Sequence, residues 1–172
     1  MATLDRGTMS KIMKDLAKER QQFCSEADFQ FALGWKIQKE FSDAEIRFEC
    51  PASLPDDPKA RIDIIVNLGG ALAPLELKWK LKSHGAETDN REKMLRDIDR
   101  LASLRQEHLK DLCLTGTPGT IQNRFVIWLS DNDRYWNEEG ANRILDYKGD
   151  KIVWEPYASG FKFVLICVPP SA

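Results

Sequence analysis

The sequence predicts a single α/β (α+β) domain in which helices flank a mixed β-sheet, and three observations predict it. Apolar spacing is helical before residue 41, alternates between residues 45 and 81, turns helical again over Glu87–His108, and ends in short apolar runs. A Gly69-Gly70 pair separates two of the alternating runs and marks a tight hairpin. With 172 residues, 42% of them hydrophobic and 30% charged, the chain has material for one core and little for a second.

Each element follows in order. Ser10–Phe41 reads as helical but is broken near Cys24 by Ser25, which forms an approximate capping box with Asp28 three residues on. In the second of these helices Phe29, Leu33 and Ile37 share one stripe, with Glu26 and Gln30 one turn apart at its edge. Glu45–Cys50 is a first strand, and Pro51–Lys59, with its three prolines, a loop. Ala60–Asn67 and Leu72–Leu81 are a second and a third strand, paired antiparallel across the glycine turn. Glu87–His108 is an amphipathic helix opened by Thr88 or Asp89, with Met94, Ile98, Leu101 and Leu104 on its apolar face. After a loop at Gly116–Gly119 come strands at Arg124–Leu129, Ile152–Tyr157 and Phe161–Val168. The domain, 1–172, thus divides into an N-terminal helical extension (1–24), a core (25–130) and C-terminal strands (131–172).

Several function classes recede on composition. The longest apolar runs are too short to cross a bilayer and Asp5, Arg6 and Lys11 occupy the place of a signal peptide's hydrophobic stretch, so a soluble cytoplasmic protein without a membrane partner is expected. Cys24, Cys50, Cys113 and Cys167 are too scattered for a CxxC motif and read as buried thiols, while His84 and His108 lack zinc-site spacing. A formal charge of -2 and a pI near 5.8 give no overall pull toward a polyanion. Local basic clusters at Lys11, Lys14, Lys18 and Arg20, and at Lys78, Lys80 and Lys82, are solvated faces or phosphate-binding patches.

The third strand carries the chemistry. Leu75, Leu77, Trp79 and Leu81 alternate with Glu76, Lys78 and Lys80, so a carboxylate and an ammonium stand side by side on one face, their Cα atoms roughly 6.5 to 7 Å apart. In the second strand Arg61, Asp63, Ile65 and Asn67 alternate with Ile62, Ile64 and Val66, leaving Asp63 as a charge in a β-branched run that needs a partner or a metal. Hairpin pairing brings Asp63 next to Glu76, and two such carboxylates suit magnesium. Spacing alone does not choose this pair, because Asp133 precedes Asp146-Tyr147-Lys148 by the same thirteen positions that separate Asp63 from Glu76. Asp133 follows a strand, however, and Tyr147–Asp150 reads as a turn. Trp79 and Trp128 fall at core positions, and Trp136 in a polar loop is the aromatic free to meet a partner.

Asp63, twelve residues, then Glu76-Leu77-Lys78, preceded by a helix bearing Glu26, resembles the PD-(D/E)xK nuclease superfamily, whose fold is restriction-endonuclease-like. The resemblance covers residues 25–130, including the order of elements, and departs from the motif at Ile62, where a proline commonly stands. It implies that Asp63 and Glu76 bind Mg2+, with Mn2+ as a substitute, that Lys78 assists the attacking water, and that Glu26 orients or completes the metal site. Gln30, Lys80 and Lys82 become candidate substrate contacts. Asp97-Ile98-Asp99-Arg100-Leu101 and 131–136 look like stretches in uncharacterised bacterial proteins of this fold. A metal-dependent endonuclease acting on DNA is therefore expected, working as a homodimer if it cuts duplexes. A catalytically silent binding or assembly module, or a nuclease acting on RNA, remains open.

Overall fold

The computed structural model describes residues 3–84, 87–109, 119–136, 146–147 and 150–170. Asp5 caps helix α1 (Arg6–Glu19) by accepting from Thr8 N–H at 2.8 Å. Ser25 caps α2 (Glu26–Glu40) in the same way, accepting from Asp28 N–H at 3.1 Å. The reciprocal half of the box is shifted by one residue: the Asp28 carboxylate accepts from Cys24 N–H, and Arg20 closes it with an ion pair.

Strands β1 (Glu45–Ala52), β2 (Ala60–Leu68) and β3 (Ala71–Lys80) form an antiparallel meander. Gly69 and Gly70 close the β2–β3 turn with φ of 59° and 96°, the two positive values that a two-residue type I′ turn demands. Helix α3 (Glu87–Ser103) carries the chain across the sheet so that β5 (Phe125–Ser130) lies parallel to β3, with short β4 (Thr120–Ile121) beside the start of β3. The tail forms a separate hairpin of β6 (Asp146–Tyr147) and β7 (Asp150–Lys151). It then returns through β8 (Glu155–Pro156) and β9 (Lys162–Cys167), which joins the sheet antiparallel to β5. The seven-stranded mixed sheet runs β1-β2-β3-β5-β9-β8, with β4 branching from β3.

Alternation along the central strands divides the core into two. Phe125, Ile127, Leu129, Leu75 and Leu77 pack with α1 and α2 residues such as Met9, Ile12, Phe29, Leu33 and Ile37. Val126, Trp128 and Val164 pack with Met94, Ile98 and Leu101 of α3. The tail strand β9 and the first helix thus share the core of the central meander. Pro74 is tolerated in the middle strand because it lies between the residues paired with β4 and those paired with β5.

Some expectations need correction. Helix α3 ends at Ser103 rather than His108, because buried Arg124 takes the Leu104 carbonyl at 3.0 Å and a 3-10 turn follows at Gln106–Leu109. Ile152–Tyr157 yields only the two-residue β8. Of the four cysteines only Cys50 is buried among the described residues, its thiol pushed up to about 11 by burial. Cys24 in the α1–α2 connection and Cys167 at the end of β9 are exposed, and Cys113 lies outside the described residues. The caps expected at Thr88 or Asp89 and the loop at 116–118 also fall outside the described side chains. Trp136 packs against Trp154 with Lys162 over its ring, so it is part of an aromatic cluster rather than a free surface group. No helix among the described residues is long and apolar enough to cross a membrane.

Candidate active site

The site forms where β2 and β3 part. Their ladder runs from Leu68↔Ala71 to Ile64↔Leu75 and stops there, one residue short of Asp63 and Glu76. Beyond that point β3 continues along β5 alone, and its N–H groups on the β2 side need other acceptors. The acidic side chains supply them. Asp63 Oδ2 accepts from Leu77 N–H at 2.6 Å, and Glu26 Oε2, from the first turn of α2, accepts from Trp79 N–H at 3.0 Å.

The partner strand is distorted at the same level. Ile46 and Phe48 of β1 pack toward α1 and α2, whereas Cys50 and Ala52, of the same parity, pack toward α3. The face switches through Glu49, whose φ is 52°, a left-handed backbone conformation uncommon for a residue with a side chain. Residue 49 is also absent from an otherwise continuous ladder, opposite Asp63. The Arg61 guanidinium takes the Glu49 carbonyl at 2.9 Å, while Gln30 Nε2 donates to Glu49 Oε1 at 3.1 Å and to the Asp63 carbonyl at 2.5 Å. β2 switches faces too: Ile62 joins the α3-side core and not the side of Ile64 and Val66, which corrects the uninterrupted alternation expected for that strand.

Glu76 is the most deeply buried acid of the group, 1% exposed. Its Oε2 pairs with Arg100 Nη2 at 2.5 Å, and its Oε1 has no hydrogen-bond partner among the described residues. Burial, reinforced by the nearby Asp63 charge, raises its pKa well above the usual carboxylate range, with Arg100 opposing. Burial also raises Asp63, against the Leu77 N–H and Lys78 and with help from Glu26 and Glu49. Lys78 Nζ lies 3.7 Å from Glu26 Oε1 and 3.5 Å from Asp97 Oδ2 and donates to the Leu77 carbonyl at 3.1 Å. Burial works to lower its pKa, but Asp97, Glu26, Asp63 and Glu76 outweigh that and raise it.

Asp63, Glu76, Lys78 and Glu26 are therefore brought to one place, with Glu26 on the Trp79 N–H and beside Lys78. Gln30 is buried behind Asp63 and fixes its backbone. Lys80 and Lys82 leave the group: Lys80 stands opposite Ser130, and Lys82 is held by Asp131 through its N–H and by Asp133 through its ammonium. The N-terminal basic cluster is spent internally, Lys11 on Glu40, Lys14 on Glu155, Lys18 on Asp15 and Arg20 on Asp28. A cleft of about 840 Å³ opens beside Lys78, walled by Lys93, Arg96, Asp97 and Arg100 of α3 and by the Leu54–Asp57 loop.

Two members of this arrangement, Arg100 and Asp97, carry no role in the motif. Asp97 lies one turn from both Met94 and Leu101, within the apolar arc of α3, and Arg100 lies one turn beyond it. A buried-side acid on an amphipathic helix was the available signal. Among the described residues no group of three or more His, Cys, Asp or Glu side chains is arranged to hold a metal ion. Two carboxylates are nonetheless a sufficient protein share for magnesium, which keeps waters and takes substrate oxygens for the rest. Asp63 and Glu76 fit that share: both are desolvated, Glu76 lies within the field of Asp63, and one oxygen of Glu76 is buried without a hydrogen-bond partner among the described residues. Comparison with protein-family models, with curated proteins and with solved structures returns no match.

Proposed function

We propose that this chain is a Mg2+-dependent phosphodiesterase of the PD-(D/E)xK type, built on a restriction-endonuclease-like core, that cleaves nucleic acid with DNA as its first candidate substrate. The observation that carries the reading is the pair of desolvated carboxylates, Asp63 and Glu76, at the parting of two strands with the Lys78 ammonium alongside. Apart from the two-residue β4, the order α2-β1-β2-β3-α3-β5 supports it, since the resemblance implies helix, three strands, helix and strand.

A magnesium ion held by Asp63 and Glu76 would lower the pKa of water and neutralise charge on the phosphoryl oxygens. The rest falls to the protein. Lys78, surrounded by acids, keeps its proton, so it serves as a fixed positive charge that orients the attacking water and stabilises the oxygens gaining charge in the transition state. Glu26 and Asp97 fix the position of its Nζ. Gln30 holds the Asp63 backbone in register with β3, so that the carboxylate is aimed before substrate arrives.

Purified protein is to be assayed on single- and double-stranded DNA and RNA with Mg2+ or Mn2+. Asp63→Ala and Lys78→Ala are each expected to lower cleavage by about a hundredfold or more, with circular dichroism unchanged. Full activity in either variant would overturn the assigned roles. A second reading, a silent binding module, is favoured by Arg100 already occupying Glu76. Calorimetry separates the two, because a silent module shows no Mn2+ binding that Asp63→Ala removes.

A further inference from the structure

We propose that Arg100 is a metal-exchanged phosphate contact: it occupies Glu76 in the metal-free protein and is released into the cleft, toward a substrate phosphate, when Glu76 takes a divalent cation. The inference rests on the phosphodiesterase reading and adds to it a residue from outside the motif.

Three observations converge on Arg100. Its Nη2 is 2.5 Å from Glu76 Oε2, the one oxygen of the buried carboxylate that has a partner. The same Nη2 also reaches Asp97 Oδ1 at 3.2 Å, so the guanidinium keeps an anchor if Glu76 lets go. Arg100 is half-buried and lines the cleft beside Lys78, together with Arg96 and Lys93, one and two helical turns away on α3. A guanidinium and a hard cation each stabilise the ionised form of Glu76, which burial and the neighbouring Asp63 disfavour, so the two compete for one carboxylate. Once released, the planar fork of Arg100 is suited to a phosphate in a way a lysine ammonium is not. The exchange would couple the two ligands: without the cation Arg100 is locked inward, and with it the cleft gains a phosphate-binding fork.

The test uses two variants and two readouts. Arg100→Gln removes the competing charge but still offers Glu76 an N–H donor, which guards against unfolding; Arg100→Lys keeps the charge and loses the fork. In calorimetry with MnCl2 and no nucleic acid, Arg100→Gln is expected to bind on the order of tenfold tighter than wild type, and Arg100→Lys to stay within about twofold of it. The second readout is binding of a single-stranded DNA oligonucleotide in a Lys78→Ala background that does not cut. Adding Arg100→Gln there is expected to weaken binding on the order of tenfold in Mn2+ and to leave it unchanged in EDTA. Unchanged or weaker Mn2+ binding by Arg100→Gln overturns the exchange. Equal loss of DNA binding in Mn2+ and EDTA also overturns it, since Arg100 would then be a standing contact. If wild type binds no Mn2+ that Asp63→Ala removes, the phosphodiesterase reading falls and this inference with it; if that binding is present and only the Arg100 outcomes fail, the exchange falls alone.

Discussion

The two ends of the β2–β3 hairpin are made from the same pair of strands and do opposite things. At the turn end, Ile64 to Leu68 pair with Leu75 back to Ala71, and every side chain except Asn67 is apolar. At the open end, one residue farther on, Asp63 and Glu76 stand where pairing has stopped, and the freed N–H groups of Leu77 and Trp79 are taken by carboxylates of Asp63 and Glu26. The contrast shows how a sheet can hold charge in its interior. A ladder that continued past Ile64 would have satisfied those N–H groups itself and left the carboxylates buried without donors, at a cost of several kcal/mol. By ending the ladder, the fold turns a backbone deficit into a set of aimed acids.

The largest effect that could break this comparison lies at the turn end. Leu75 is fully buried in the core shared with α1 and α2. Leu75→Ala is expected to destabilise the protein by about 2 to 5 kcal/mol in urea unfolding, by lost transfer energy and the cavity left behind. A loss below about 1 kcal/mol would mean that the paired end is not the structural half of the hairpin.

The open end should respond in the reverse direction. Asp63→Asn keeps an oxygen to accept from Leu77 N–H and removes a charge that burial disfavours, so in EDTA its unfolding midpoint is expected to be unchanged or higher, within about 1 kcal/mol, while cleavage is lost. The pH dependence has a defined sign. Because folding raises the Asp63 and Glu76 pKa values, the native state binds more protons than the unfolded state in the window above the ordinary carboxylate pKa, and stability falls as pH rises through it. Asp63→Asn should make that fall shallower. A steeper fall, or a variant clearly less stable than wild type, would show that the charge supports the fold rather than the site.

Much of this was readable in the residues because it depends on local pattern. The Gly69-Gly70 turn, the alternation of Glu76 and Lys78 with Leu75, Leu77 and Trp79, and the stripes of Phe29, Leu33 and Ile37 and of Met94, Ile98 and Leu101 each follow from a few neighbouring positions. The face switch at Glu49 and Asp63 does not. A positive φ at a glutamate is held by Arg61 and Gln30, one from the neighbouring strand and one from a helix, and no local signal reports it. The 97–101 stretch stood out only by resemblance, and the pairing of Arg100 with Glu76 escaped for the same reason: the two are 24 residues apart and meet only through the crossover that brings α3 over β3. Exposure of Cys24 and Cys167 likewise reflects where a connection and a strand end lie, not residue preference.

The smallest expected effect sharpens the comparison from outside the hairpin. Asp133, with Asp146 and Lys148, matches the spacing of Asp63, Glu76 and Lys78, yet the Asp133 side chain is half-exposed and its carboxylate is spent on the Lys82 ammonium at 3.0 Å. The Lys82 hydrogen bond holds its carboxyl below the usual range, the opposite direction from Asp63, because here the gain of a charged partner outweighs the desolvation that opposes it. Exposed pairs of this kind contribute little to stability. Asp133→Asn is therefore expected to leave the urea midpoint and the cleavage rate indistinguishable from wild type. Loss of cleavage in that variant would move the chemistry away from the parted strands, since an acid already paired with Lys82 would then be performing the work assigned to a desolvated pair.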